Sequence, residues 1–336
     1  MKRFAAIALI FCFIAAFAAC APVEKTVTGF SMGSSFYVNY FGSAEIDQEV
    51  RDLLEGIDRT YSATFDFSTV TKINEADRGD EILLSAEEAG IFSRIFRISD
   101  ETGGAFDPSI LPLVHVWGFD PPFLYNGKTP PSEEAIAAAK SACSLSRFYF
   151  DESARSIIKL GEDSKLDFGA AIKGYAAQKV VELLKNKVDS ALVNVGGTVG
   201  AVNADYPIGI KPPRDSAYEF IFSFTLKDGE VCATSGDYEN CYVYNGVNYH
   251  HILDASTGYP ANSGVISASV ISKDGLLSDA LATAAVVLGK EGALCLFKKL
   301  GVRGAIVTED KEIYTYNLPI KIKDRSYVLN ASESEE

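Results

Sequence analysis

Cysteine and histidine are scarce in this chain of 336 residues, which holds six cysteines and three histidines. The cysteines form no Cys-x-x-Cys pair and no Cys/His cluster, so the ligand spacing of a structural zinc site is absent from the sequence. Four cysteines lie far apart in the region beyond the N-terminal segment, and scattered thiols of this kind are usually buried. Two of them, Cys232 and Cys241, flank a predicted hairpin and could pair in an oxidising compartment.

Basic residues are also in short supply, since 31 Lys and Arg oppose 45 Asp and Glu and leave a net charge of -14. No basic cluster interrupts this acidic surface. It would repel a phosphate backbone, so nucleic acid is excluded as a predicted partner. An anionic ligand would need local neutralisation by a metal ion, a lysine or backbone N–H groups.

Repeats and low-complexity tracts are missing as well, and 47% of the residues are hydrophobic, which is typical of a globular protein with a large core. Helical and strand-like segments are intermixed, and the later strands follow one another between residues 207 and 272. This order favours the α+β class, with a single domain and a largely antiparallel sheet flanked by helices, over a doubly wound fold.

The N-terminal segment has the pattern of a secretory signal. Lys2 and Arg3 precede an apolar run over residues 4–17 that is too short to span a bilayer comfortably. The segment Phe17-Ala18-Ala19-Cys20 resembles a bacterial lipobox, with Phe17 in place of the usual leucine. The alternative is a plain signal peptide cut near Ala19.

We therefore expect a signal peptide at residues 1–19, a lipidated tether at 20–26, one domain at 27–330 and a disordered polar tail at 331–336. Acyl chains on Cys20 would attach the protein stably to the periplasmic side of a bacterial membrane, inner or outer.

Further along the chain, helical spacing with a capping box predicts a helix from Ser85 to Thr102. Near the C-terminus, an alanine-rich helix is predicted over Ser278 to Leu288, and a second helix over Glu291 to Leu300.

Five short motifs stand out in chain order. They are MGS at 32–34, TGGAFDP at 102–108, DFGAAIKGY at 167–175, ATSGDY at 233–238 and HILDASTGYP at 251–260, the last followed by SDALAT at 278–283. Together they resemble the ApbE family, the FAD:protein FMN transferases, and the resemblance runs from about residue 27 to residue 318.

Asp279 and Thr283 are the candidate metal ligands. They lie four residues apart on a predicted helix, so their oxygens share one face, and a carboxylate with a hydroxyl suits Mg²⁺. A surface aspartate beside a core-facing threonine is the alternative. The flanking alanines instead predict a buried helix, in which a carboxylate needs a partner. The resemblance adds the backbone carbonyl of Ala170 as a third ligand.

Lys173 and His251 are the candidates for phosphate binding and proton transfer. Lys173 lies near the start of a predicted helix, where its amine and the helix N–H groups could face an anion. The alternative is an exposed helix lysine without a ligand. A neutral imidazole at His251 could accept the proton of an attacking hydroxyl, and a structural histidine is the alternative. The resemblance favours His251 over its neighbour His250.

The resemblance also implies a set of positions that contact FAD. Many relatives place an aromatic residue against the flavin ring where this chain has Thr64, and the adjacent Phe65 could take that role instead. Weaker stacking would admit water to the bound dinucleotide. The other implied contacts are Met32, Ala105, Phe106, Asp107, Asp167 and Ile252.

Three functions follow as hypotheses. The first is an Mg²⁺-dependent FAD:protein FMN transferase that takes FAD as substrate, attaches FMN through a phosphoester to Thr or Ser of a membrane-linked redox protein, and releases AMP. The second is an Mg²⁺-dependent FAD pyrophosphatase that gives FMN and AMP. The third is a lipid-anchored flavin-binding or scavenging module without turnover.

Overall fold

The structure is a computed structural model that describes residues 24–120 and 128–333. The expected signal peptide and Cys20 lie outside the described residues. Over the described part, strands and helices are intermixed in one α+β domain with a mostly antiparallel sheet, so the predicted fold class is confirmed.

A nine-stranded sheet forms the centre of the domain. Every neighbouring pair in it is antiparallel except the parallel pair at one edge, β17 (Glu312–Tyr316) and β19 (Val328–Glu333). The other strands, in spatial order from the opposite edge, are β1 (Glu24–Ser31), β2 (Ser34–Phe41), β6 (Ser190–Val195), β7 (Thr198–Val202), β10 (Val231–Gly236), β15 (Val265–Ser272) and β16 (Arg303–Thr308).

Smaller sheets and hairpins surround this central sheet. Two of them have three strands and two have two strands. Their strands are β3 (Glu81–Leu83) with β5 (Ser156–Lys159) and β4 (Phe148–Asp151), β8 (Tyr206–Ile210) with β9 (Phe222–Leu226) and β18 (Lys321–Ile322), β11 (Cys241–Tyr244) with β12 (Val247–His250), and β13 (Leu253–Asp254) with β14 (Tyr259–Pro260).

Four of the seven α-helices in the described part of the chain begin with a side-chain cap, which comes from Ser68, Ser85, Ser132 or Asp274. Ser85 accepts from the Glu88 N–H, and Glu88 accepts from the Ser85 N–H, so the predicted capping box is present. The α-helices are α1 (Asp47–Tyr61), α2 (Thr69–Glu75), α3 (Ala86–Glu101), α4 (Leu111–Trp117), α5 (Glu133–Ala142), α6 (Gly169–Leu184) and α7 (Gly275–Leu300), with a short 3₁₀ turn at Leu145–Arg147.

The middle of the central sheet is buried on both faces, whereas Phe30 and Tyr37 at the β1–β2 edge are exposed. One face packs against α1, α6 and α7 in the main core, and the other face packs against the β8–β9–β18 sheet in a second core. Successive side chains of strand β10 point to opposite faces of the sheet, since Ala233 belongs to the main core and Cys232 to the second core. The sheet therefore fixes which side chains of β10 can face α7.

The sequence prediction of two helices near the C-terminus is confirmed. Helix α7, Gly275–Leu300, consists of two helical halves that meet at Gly289, whose φ of 74° and ψ of -177° are not helical. Next to this break the Ser263 hydroxyl donates to the Val286 carbonyl. By length and apolar composition α7 could cross a bilayer, but 61% of its most apolar window is buried inside the domain.

The ends of the domain also differ from the expected boundaries. Strand β1 pairs with β2 from Glu24 onward, so residues 24–26 belong to the sheet rather than to a tether. Strand β19 continues to Glu333 beside β17, although a disordered tail was expected from residue 331, because backbone pairing needs no apolar side chain. Cys232 and Cys241 are free thiols, since Cys232 is sealed in the second core and Cys241 lies on the β11–β12 hairpin.

Candidate active site

A cleft of about 390 Å³ opens between the β1–β2 turn, the loop after α1, and the first turns of α6 and α7. Every predicted site residue that the structure describes lines this cleft. These residues are Met32, Thr64, Ala105, Phe106, Asp107, Asp167, Ala170, Lys173, His251, Ile252, Asp279 and Thr283.

A close crossing of α6 and α7 forms one wall of the cleft. A Cβ on Gly174 would lie 2.0 Å from the Gly275 carbonyl oxygen, and a Cβ on Gly275 would lie 2.1 Å from that of Gly174. Only glycine at both positions permits this approach. It brings the Gly174 N–H within 2.9 Å of Asp279 Oδ2, to which it donates.

Asp279 and Thr283 project from α7 into the cleft, as their spacing predicted. Burial raises the pKa of Asp279, against the opposing effects of Lys173 and the Gly174 N–H. Among the described residues, Gly174 is the only hydrogen-bond donor to this carboxylate, so Oδ1 is available to another ligand. The Thr283 hydroxyl lies 3.1 Å from the Ser235 hydroxyl at the end of β10.

Lys173 and Asp167 sit at the start of α6. Lys173 Nζ donates to the Gly169 carbonyl at 2.6 Å, and Asp167 accepts from the Gly169 N–H at 2.8 Å. Burial raises the pKa of Asp167, while that N–H and Lys173 act in the opposite direction. Gly196 leaves room for the lysine stem, because a Cβ there would lie 2.9 Å from Lys173 Cδ.

The two adjacent histidines occupy different environments. His250 is buried, and its Nε2 lies 2.9 Å from the Ala261 carbonyl, which is a structural contact. His251 lines the cleft, and its buried Nδ1 has no hydrogen-bond partner within the described residues. Burial, followed by His250 and Lys173, lowers the pKa of His251 to about 3. The imidazole is therefore neutral near pH 7.

The loop after α1 holds both candidates for flavin stacking at the cleft. Ser62 accepts from the N–H groups of Thr64 and Phe65 at 3.2 and 3.1 Å, which fixes the loop. Thr64 is exposed, and its hydroxyl lies 3.2 Å from that of Ser62. Phe65 is half-buried, with the Arg59 guanidinium 4.9 Å from its ring centroid.

Sequence reasoning missed two residues that shape the cleft. Asp58 accepts from the Met32 N–H at 2.8 Å and so holds a turn in which Met32 has a φ of 51°. Nothing in the sequence singles out Asp58, because a carboxylate on a helix usually faces solvent. Ser235 lies within the fourth motif, so a signal for it was present.

The charge of the cleft is strongly negative. Lys173 is the only lysine or arginine among its described lining residues. The carboxylates that oppose it are Asp58, Asp107, Asp120, Asp167, Glu239 and Asp279.

Comparison with models of known protein families shows which family the chain belongs to. The family model described as the ApbE family matches residues 32–306. The chain belongs to the ApbE family. All the cleft residues named above lie within the matched range.

Several relatives within the ApbE family carry the name FAD:protein FMN transferase. The protein of that name from Treponema pallidum is 30% identical over 306 residues, which cover 84% of this chain and 82% of the relative. The one from Escherichia coli strain K12 is 27% identical over 300 residues, with 86% of this chain and 84% of the relative covered.

Solved ApbE structures share the fold. The ApbE protein of Thermotoga maritima superposes with a TM-score of 0.76 at 30% identity and covers 90% of this chain and 97% of its own. The apo flavinyl transferase ApbE of Pseudomonas stutzeri superposes with a TM-score of 0.73 at 28% identity, over 87% of this chain and 93% of its own.

Proposed function

We propose that this chain is an Mg²⁺-dependent FAD:protein FMN transferase that moves FMN from FAD to a threonine or serine hydroxyl of an acceptor protein and releases AMP. The observation that carries the proposal is that one cleft joins a buried carboxylate and a hydroxyl, Asp279 and Thr283, to Lys173 and the neutral His251. The names of the family relatives support the same reaction.

The donor set fits Mg²⁺. Asp279 has a free oxygen and Thr283 presents its hydroxyl from the same helix face. A backbone carbonyl has two lone pairs, so the Ala170 carbonyl at the start of α6 keeps capacity for a ligand beside a helix hydrogen bond. The described residues contain no group of three or more His, Cys, Asp or Glu suited to a metal. Mg²⁺ commonly uses one or two carboxylates with water and substrate phosphate, so this sparse set suits it.

The residues divide the reaction between them. Bound Mg²⁺ would stabilise charge on the phosphoryl oxygens and on the departing AMP. Lys173 offsets the charge of the pyrophosphate. His251 accepts the proton of the acceptor hydroxyl as its oxygen bonds to the phosphorus of the FMN half. The bond from that phosphorus to the bridging oxygen breaks, and the bridging oxygen leaves with AMP.

Removing the proposed metal ligands tests this mechanism. Asp279→Ala should abolish Mg²⁺-dependent release of AMP from FAD and the appearance of a flavinylated acceptor, whereas Thr283→Ala should be milder because water can replace a hydroxyl ligand. Asp324→Ala is the control, since Asp324 is equally buried but lies outside the cleft. Full activity of Asp279→Ala, or in excess EDTA, would show that the metal site is misassigned.

FAD hydrolysis is the second candidate function. The observation that favours it is the exposed Thr64, which offers no ring to the flavin at the cleft. Base stacking on an aromatic side chain contributes about 1–3 kcal/mol, so its loss would weaken FAD binding roughly tenfold or more and admit water. The unaltered protein should then release FMN and AMP without an acceptor. Efficient transfer with no hydrolysis would rule out this activity.

Two substitutions decide which residue faces the flavin. If the flavin lies against Thr64, Thr64→Tyr should tighten FAD binding and suppress hydrolysis. If the flavin lies against Phe65, whose ring is in contact with the Arg59 guanidinium, Phe65→Ala should weaken FAD binding. Thr64→Tyr should then change the FAD affinity little. FAD titration in EDTA measures both variants. A protein that binds FAD without ever releasing AMP would instead be a scavenging module.

Membrane attachment through Cys20 is proposed from the sequence motif, and it would place the enzyme on the periplasmic side. Mass spectrometry of the native protein should find a lipidated Cys20 as the first residue. Cys20→Ala should move the protein from the membrane fraction to the soluble fraction. An unmodified N-terminus at Ala21 or earlier would contradict the anchor.

A further inference from the structure

Ser235 occupies a position in the cleft for which the proposed reaction has no role so far. It lies near the end of β10, and its Oγ is 3.1 Å from Thr283 Oγ1 on α7. Both residues line the cleft. Because either oxygen can donate, the pair can adopt the direction in which Thr283 gives its proton to Ser235.

The sheet fixes the direction of the Ser235 side chain. Ala233, two residues earlier on β10, packs in the main core under α7, so Ser235 points to the same side. Thr234 points to the opposite side, where its hydroxyl lies 2.9 Å from that of Ser269 on β15. β10 and β15 pair in continuous register, which leaves Ser235 little freedom to turn away from α7.

A hydroxyl ligand binds a cation through an oxygen lone pair, so its proton must point elsewhere. Without an acceptor, that proton can turn towards the cation and weaken the bond. Groups that accept hydrogen bonds from metal ligands orient those ligands and raise metal affinity. The Ser235 Oγ is placed to accept the Thr283 proton and to leave a lone pair of Thr283 facing the cleft.

We propose that Ser235 is a positioning residue that orients the Thr283 hydroxyl for binding a divalent cation. The inference rests on the proposed function in that it assumes Thr283 to be a ligand. It assigns Ser235 no contact with FAD. Its effect on the cation must therefore pass through Thr283.

Mn²⁺ binding tests the inference without turnover. The loss of the free Mn²⁺ signal in electron paramagnetic resonance would be measured with the unaltered chain and its variants, with no flavin present. Ser235→Ala should weaken Mn²⁺ binding about tenfold. Ser235→Thr, which keeps the hydroxyl, should stay near the unaltered value. Ser269→Ala is the matched control, because it also removes one hydroxyl of a hydrogen-bonded pair, and Ser269 itself does not line the cleft.

A double substitution separates the positioning role from direct binding. In a Thr283→Ala background, Ser235→Ala should cause no further loss of Mn²⁺ affinity. A further tenfold loss there would overturn the inference, since Ser235 would act independently of Thr283. Unchanged affinity in Ser235→Ala, with binding abolished in Asp279→Ala, would overturn the inference alone. Absence of Mn²⁺ binding by the unaltered chain would overturn both the inference and the proposed metal site.

Discussion

At the scale of single residues, His251 shows how burial sets the protonation state of a side chain. Its pKa falls from 6.5 in water to about 3, chiefly because the cleft wall removes water from the imidazole. This environment keeps His251 unprotonated near pH 7, and it also makes the imidazole a weaker base than it is in water.

The same burial predicts a stability effect with a definite sign. Between pH 6.5 and about 3 the unfolded chain holds a proton on His251 that the folded chain lacks, so stability is complete above pH 6.5 and falls as the pH decreases. His251→Gln should remove this dependence. From pH 7.5 to pH 5 the unaltered protein should lose about 1–2 kcal/mol more stability than the variant, as measured by urea unfolding. Parallel losses in both proteins would mean that His251 titrates normally.

Asp58 is predicted to hold the β1–β2 turn at the cleft through its hydrogen bond to the Met32 N–H. Met32 is held at a φ of 51°, a conformation that costs a non-glycine residue about 1 kcal/mol, while Asp58 accepts from its N–H. Asp58→Ala should therefore loosen the turn and weaken FAD binding several-fold in EDTA, whereas Asp58→Asn should keep the acceptor and most of the affinity. Asp52→Ala, on the same helix with only an exposed contact to Gln48, is the control. Equal affinities for all three would contradict the role of Asp58.

At the scale of elements, the crossing of α6 and α7 decides the geometry of the metal ligands. Gly174→Ala would place a methyl group 2.0 Å from the Gly275 carbonyl oxygen, so the helices would have to separate. We expect a loss of stability of at least about 2 kcal/mol and much weaker Mn²⁺ binding, since overpacking typically costs 1–3 kcal/mol. Urea unfolding and Mn²⁺ titration measure the two effects.

The control for this prediction is another helical glycine. A Cβ on Gly56 of α1 would meet nothing within 4 Å, so Gly56→Ala should stabilise the protein by up to about 1 kcal/mol. If Gly174→Ala behaved in the same way, the close crossing would not constrain the cleft.

At the scale of the whole molecule, charge opposes the proposed substrate. The chain carries a net charge of -14, and Lys173 is the only lysine or arginine among the described residues that line the cleft. In EDTA, FAD binding should therefore tighten as salt rises from 0.02 to about 0.3 M, because salt screens repulsion over roughly 10 Å. Mg²⁺ should reverse this trend. Riboflavin, which lacks phosphate, should bind independently of salt, and fluorescence titration distinguishes the cases. Weaker FAD binding at high salt in EDTA would contradict a repulsive cleft.

The sequence by itself determined the α+β class, and its resemblance to the ApbE family supplied most of the residues that were predicted to meet in the cleft. Sequence motifs reflect local structural requirements. Examples are a glycine where two backbones approach closely and a carboxylate four residues before a hydroxyl, and each can be recognised within one short segment. Boundaries were less well defined. The first half of α7 was predicted to begin at Ser278, whereas it begins at Gly275, where the Asp274 side chain accepts from the Leu277 N–H.

Only the tertiary structure decided which contacts complete the site. Three hydrogen bonds in the cleft connect side chains and backbone groups that are far apart in the sequence. The separation is 26 positions for Asp58–Met32, 48 for Ser235–Thr283 and 105 for Gly174–Asp279. No local pattern encodes such pairs, because each depends on how two elements pack rather than on the propensity of either one. The lowered pKa of His251 has the same origin, since removal of water from a side chain is a property of the assembled fold.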